Sequence, residues 1–585
     1  MMIEAEKFKK VPQLGIRTFL FLILFLNSGA VSYAGPPVSC DLAVLNATIA
    51  TVDADRPEAQ ALAVRGDRIV AVGTNEEIRS YIGSSTRVLD LAGKFVMPGF
   101  IEGHAHLLLL GRWKMETDLT KAGNWDEIVL IVRDKVRKAG PGEWIIGSGW
   151  HQEKWNKSPS PEIDGYPTDE SLNKISPDNP VLLKHASGHA LLANARAREL
   201  AGITRETKDP YGGKILRDSS GNPTGVFFDA AEQLIEKALE ESLAKRAPEE
   251  VESQSREAVR LAVDDCLFNG VTSFQDAASS FRDIDLYKKL VDENNLAVRL
   301  WAMIHENNKE LSEKMVGYRM IGYGDNRLTV RAVKKFMDGA LGSHTAWMLE
   351  PYSDLPGCAG LNVTPAADLV ETAGLALKNK FQLCVHAIGD RANREVLNVY
   401  ETAFRENKGV DGKRLRWRIE HAQHLDPADI PRFGLLGIIA SMQAVHCASD
   451  GPWVTKRIGA KRAEEGAYVW QKLMRSGAVV TNGTDAPVED VDPIANYYAA
   501  VTRKMADGSA FYPNQKMSRD EALRACTINA AHSAFEEDIK GSVTPGKLAD
   551  LAILSEDITK VPEEQIRDVK VLYTIVGGKV VYHKN

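Results

Sequence analysis

The stretch "GFIEGHAHLL" at residues 99 to 108 sets two histidines one residue apart. On a strand, alternate residues share a face, so His104 and His106 point to one side. Two neutral imidazoles converging on one spot suit a metal ion, although a bare H-x-H is equally a chance pair on a loop. Residues of matching chemistry follow other apolar runs: His386 after "FQLCV", His421 after "RWRIE" and Asp485 after "GAVVTNGT". Each alone has an ordinary structural reading, His386 as a satisfied core histidine and Asp485 in "NGTDAP" as a turn or helix cap. Together, four histidines and one aspartate at the same end of successive runs suit a borderline divalent cation such as zinc. No G-x-S-x-G sequence offers a serine nucleophile.

These residues need elements to hold them. In the middle of the chain, apolar β-branched runs alternate with longer helical patterns, the order of a parallel α/β architecture. Eight runs read as strands: Phe100 to Glu102, "VTSFQ" from 271, "VRLWAMI" from 298, "LTVRAVKKFM" from 328, "FQLCVH" from 381, "RWRIEH" from 416, "GIIASMQ" from 437 and "GAVVTNG" from 477. Eight is the number a closed (β/α)8 TIM-like barrel requires, and in such a barrel the C-terminal strand tips meet at one mouth. Residues 111 to about 250, with β-like pieces in "WIIGSGW" and "PVLLKH", read as an insertion over that mouth after the first strand. Short β-like runs at 41–97 return near the C-terminus in "DLAILS" and "VLYTIVGGKVVY", which predicts one small β-sandwich built from both chain ends. The expected organisation is a leader at 1–34, sandwich at 35–97, barrel at 98–540 and sandwich again at 541–585.

Composition narrows the class. The 585 residues are 44% hydrophobic and 26% charged, enough to bury a large core without covalent staples. The net charge of -7 and the lack of any basic block argue against nucleic acid as a partner. Lys7, Lys9, Lys10 and Arg17 precede "TFLFLILFL", and "SYA" at 32–34 supplies small residues for cleavage. That order predicts a secretory signal and export to a periplasm or beyond. The apolar run is short for a membrane span, so an uncleaved anchor is the lesser alternative. Six cysteines without a C-x-x-C predict buried free thiols, not a disulfide framework.

An ordered set of longer motifs carries a resemblance. It runs through "VMPGFIEGHAH", "GWHQEKW", "SGHALLANARARELAGIT", "GNPTGVFFDAA", "AVKKFMDGALGSHTA" and "HAIGDRANREVL". It continues in "RIEHAQHLDPADIPRFGLLGIIASMQAVH", "SDGPW", "NGTDAPVED" and "PGKLADLAIL". In these the chain resembles the amidohydrolase superfamily, specifically the amidohydrolase family 3 group of YtcJ-like metal-dependent hydrolases. The resemblance implies a barrel with a small sandwich and one or two divalent ions, with His104, His106, His386, His421 and Asp485 as ligands. It also places a carboxylated, metal-bridging lysine at Lys334. Strand alternation agrees with that choice, since Lys334 shares a face with Phe336 and Asp338 while Lys335 points away. Three positions depart from the family pattern: Glu102 stands where aspartate is commoner, "GTD" replaces "GSD", and His344 replaces a frequent arginine.

The function expected from this set is hydrolysis of a non-peptide carbon–nitrogen bond in a small molecule by metal-activated hydroxide. Asp485 would take the proton from water and pass it to the leaving nitrogen. His189 in "SGHA" is expected to reach over the barrel to substrate, with a structural loop role as the alternative, and His344, near the site, is expected to contact substrate. His424 and His446 read as supports behind the ligands or as pocket wall, and Trp150, Trp155 and Trp453 as core or an aromatic lining. A lactonase or esterase using the same metal site is the alternative enzyme, and a non-catalytic exported binding or regulatory protein the alternative of another class. A homo-oligomer is compatible with all three readings.

Overall fold

Runs of buried, mostly apolar side chains form the centre of the protein. The computed structural model describes residues 39–584 apart from 244–246 and 408. The expected leader at 1–34 lies outside the described residues. Eight parallel strands follow in sequence: β1 (Phe100–Ala105), β2 (Val271–Ser279), β3 (Arg299–Ile304), β4 (Leu328–Phe336), β5 (Gln382–Ala387), β6 (Arg418–His421), β7 (Ile439–Met442) and β8 (Val480–Asn482). Each pairs with the next in parallel register from β1 to β8. β3, with the sequence "RLWAMI", is buried at every position. Such strands read as continuous apolar runs because helices cover one face and the barrel interior the other.

The first and last strands meet through polar contacts. The backbone N–H of Asp485 donates to His104 O at 2.8 Å, and that of His106 to Ala486 O at 2.8 Å. Buried Glu102 fills the seam, accepting from the Thr484 backbone N–H and hydroxyl, both at 2.8 Å, and from the His104 N–H at 3.1 Å. Gly103 is required there, since a Cβ would lie 2.8 Å from Asn482 O. Glu102 thus ties the end of β1 to the segment after β8 beside the histidine pair.

The small sandwich uses both chain ends. One sheet orders Arg68–Gly73, Ala61–Arg65, Leu42–Leu45 and Arg87–Asp90. The other joins Phe95–Pro98 to the distant Leu551–Leu554 in antiparallel pairing. Leu42, Val44, Ile49, Leu62, Val64, Ile553 and Ile575 pack between them. Buried Arg299 on β3 binds Asp550 through two hydrogen bonds, at 2.6 and 3.0 Å, and ties this domain to the barrel floor.

Between β1 and β2 the chain folds into a six-stranded sheet. Its order is Gly213–Arg217, Pro223–Asp229, Ala190–Ala193, Val181–His185, Ile145–Trp150 and Thr117–Asp118. It has its own core around Trp125, Trp150, Leu183 and Phe228. The six cysteines are free thiols, five of them buried. Among the described residues no helix is long and apolar enough to cross a membrane.

Candidate metal centre and cleft

The C-terminal ends of β1, β4, β5, β6 and β8 bring the expected residues to one place. His104 and His106 project together from the end of β1. Their ligand atoms and that of Asp485 lie within 4.8 Å of one another. His106 Nε2 is 3.2 Å and His104 Nε2 3.5 Å from Asp485 Oδ1. Lys334, fully buried on β4, sets Nζ 3.5 Å from His104 Nε2. Lys335 points the other way and donates to Glu306 O at 2.7 Å.

A second group gathers on the other oxygen of Asp485. It joins His421 and His446, whose Nε2 is 3.9 Å from Asp485 Oδ2. His446 sits on the helix Ala444–Ile458 that follows β7. It lines the cleft, as a pocket-wall reading expects, and stands beside Asp485 as well, a placement that helical spacing alone does not show. His386 packs its ring 4.5 Å from that of His421 but turns Nε2 to Gly339 O at 3.1 Å.

Buried partners orient these rings. His104 Nδ1 is hydrogen-bonded to Glu420, whose carboxylate is in turn paired with Arg418 Nε at 2.6 Å. That fixes Nδ1 on the carboxylate and leaves Nε2 for the site. His421 Nδ1 is held by Gln443 Oε1 at 2.7 Å. Glu420 and Arg418 escaped the sequence reading, yet a signal was present. Two charges at alternate positions of an apolar strand, in "RIEH", must both face the interior.

Burial governs the protonation of the set. It holds His104, His386 and His421 well below the usual histidine range, helped at all three by Lys334 and by neighbouring imidazoles. Neutral rings keep the lone pairs that a metal needs. Burial also pulls Lys334 down to about 8, partly offset by Glu420 and Asp485. For Asp485, burial alone would raise the carboxyl. The contact with His106 and the electrostatic influence of the neighbouring His104, His106 and His446 rings outweigh it and hold Asp485 below the usual range.

The donors fit a cation. Asp485 Oδ1 and His446 Nε2 are buried with no hydrogen-bond partner, and both belong to these groups. Imidazole nitrogens with carboxylate oxygens are the donor types of zinc and similar divalent ions. Asp485 and His421 hold left-handed backbone, at φ 61° and 74°, conformations that persist where surrounding contacts impose them.

Above the centre opens a cleft. His386, His421, His446 and Asp485 form its floor, while the insertion adds His151, Lys154 and His189. Trp453 lines the wall, whereas Trp150 belongs to the insertion core. His424 is buried and does not line the cleft. His344, expected near substrate, is drawn off by Asp354, 3.2 Å from its Nε2, and is not among the lining residues. Asp354 is itself anchored by buried Arg457, so the loop after β4 turns this side chain aside.

A family model described as the amidohydrolase family matches residues 87–582. The chain belongs to the amidohydrolase family. This amidohydrolase is 36% identical over 570 residues to the protein LONG AFTER FAR-RED 3 of Arabidopsis thaliana, covering 94% of this chain and 93% of that one. It is 29% identical over 554 residues to N-substituted formamide deformylase of Arthrobacter pascens, covering 93% and 98% respectively. Among solved structures, an uncharacterized metal-dependent hydrolase from Pyrococcus horikoshii OT3 matches this amidohydrolase with a TM-score of 0.71 and 27% identity. That match covers 89% of this chain and 99% of the other.

Proposed function

We propose that this amidohydrolase is an exported hydrolase of a small-molecule, non-peptide carbon–nitrogen bond of amide type. The observation that carries the reading is Asp485 Oδ1, a buried carboxylate oxygen without a hydrogen bond, among histidines at the floor of an open cleft. His104, His106, His386, His421 and Asp485, with His446 beside them, would hold one or two divalent ions, zinc being the best match to the donors. Lys334, inward-facing beside His104, is the position for a carboxylated bridging ligand. A divalent cation there supplies Lewis acidity, polarising a carbonyl and making water easier to ionise.

The chain's own groups supply the proton chemistry. Asp485 stays ionised because its neighbours hold its carboxyl low. Oδ1 can therefore take a proton from the attacking water and hand it to the departing nitrogen. An amine leaves poorly without that proton, so an amide hydrolase needs the second transfer as much as the first. The insertion contributes His151, Lys154 and His189 to the wall of the cleft. The relative named N-substituted formamide deformylase supports an amide-type bond, and the basic, apolar, small-residue order of residues 7–34 supports export.

The test is elemental analysis joined to a substrate panel. Chelated protein should be inactive and recover with zinc, and N-formyl, N-acyl or cyclic amides should turn over faster than matched esters and lactones. Full activity without metal would overturn the metal assignment. Preference for lactones or esters would overturn the bond type.

A further inference from the structure

The insertion delivers a second carboxylate–imidazole pair to the cleft, its carboxylate buried and its imidazole half-buried, and the proton shuttle does not use it. His189 precedes the strand Ala190–Ala193, and Asp229 ends the strand Pro223–Asp229. These strands pair antiparallel with Ala190 opposite Phe228, which sets His189 beside Asp229. His189 Nδ1 lies 2.7 Å from Asp229 Oδ1, and the Asp229 side chain is only 3% exposed. Its other oxygen, Oδ2, is buried without a hydrogen-bond partner. Asp229 also holds left-handed backbone, at φ 48°.

The pair seats on the barrel at one point. A Cβ on Gly339 would lie 2.0 Å from Thr345 Oγ1 and 2.6 Å from Asp229 Oδ1, so the missing side chain lets the loop after β4 pack against both. The carbonyl of the same Gly339 accepts from His386 Nε2. The His189 ring stands 5.0 Å from that of His386, and both rings line the cleft with Asp485.

Polarity follows from the partner. An ionised carboxylate only accepts, so Nδ1 carries the proton. The remaining nitrogen, Nε2, then presents a lone pair to the cleft. A lone pair in a desolvated wall calls for an N–H or O–H on the ligand, and a ligand lacking one leaves it unpaired at a cost.

We propose that His189, held in this tautomer by Asp229, accepts a hydrogen bond from the N–H of the scissile amide. His189 thereby selects amides that bear an N–H over esters and over N,N-disubstituted amides. Asp229 acts through His189 and is a positioning residue. The assignment rests on the carbon–nitrogen reading above and adds to it the requirement for an N–H.

The experiment compares kcat/KM for three matched substrates: a secondary amide, its N-methyl derivative and the corresponding ester. Wild type, His189→Ala, His189→Gln and Asp229→Asn are loaded with zinc, and their metal content and residual ester turnover report folding. His189→Ala should lose at least about tenfold more on the secondary amide than on the other two, given what one hydrogen bond contributes. His189→Gln, which retains an acceptor oxygen, should recover part of that selectivity, and Asp229→Asn should fall between His189→Ala and wild type. An amide-to-ester ratio unchanged in His189→Ala overturns the assignment while leaving the carbon–nitrogen reading intact. Wild-type turnover of esters alone overturns both.

Discussion

His104 Nδ1 is bound to the carboxylate of Glu420, a residue 316 positions away on β6, and both side chains are fully buried. This pairing aims His104 Nε2 at Lys334 and Asp485. Glu420→Gln should therefore loosen the metal before it changes the chemistry. The expected loss in zinc affinity is about 10- to 100-fold, the usual effect of removing a carboxylate behind a ligating histidine. Competition with a chromophoric chelator measures it, and turnover should return when zinc is raised. Unchanged affinity would show that His104 does not depend on this partner.

Asp485→Asn keeps the shape of the side chain and removes its basicity. Because Asp485 stands in both candidate ligand groups, metal content should fall somewhat. Turnover per bound metal should fall by about a hundredfold or more, the scale of a lost general base. Rates normalised to metal measured on the same sample decide it, and a normalised rate equal to wild type would place the proton shuttle elsewhere.

The adjacent lysines separate cleanly. Lys334 is inside beside His104, whereas Lys335 donates outward to Glu306 O. Lys334→Ala should lose metal and activity together, and short carboxylic acids that fill the gap should restore part of both. Lys335→Ala should retain metal and most activity. The reverse pattern would contradict the inward phase of β4 at this pair.

Glu102 predicts a pH effect on stability in the metal-free protein. Burial raises its carboxyl from 4.5 to about 7, so the fold favours the protonated form. Its contribution is fully present below the unfolded value near 4.5 and is lost as pH rises through about 7. The full shift corresponds to about 3 kcal/mol at most. Glu102→Gln can keep the Thr484 and His104 contacts without acquiring charge. Relative to wild type, this variant should gain stability steadily between pH 4.5 and 7, as followed by urea unfolding. A difference independent of pH would mean that Glu102 titrates normally.

The sequence by itself determined the barrel and most of the mouth. Parallel strands buried on both faces are written as continuous apolar runs, and polar residues that end those runs must emerge at one rim, as His104, His106, His386, His421 and Asp485 do. Alternation along a strand likewise separated Lys334 from Lys335. Only the tertiary structure decided the rest, because it concerns partners far apart in the chain. Glu420 meets His104 across the barrel, His446 reaches Asp485 from a helix, and His189 finds Asp229 through the pairing of two non-consecutive strands of the insertion. His344, close to the mouth in sequence, is turned away by Asp354. Strand ends obey a local period of two that a sequence displays. Loop and helix side chains obey whichever buried charge they meet, and that meeting exists only after the chain has closed.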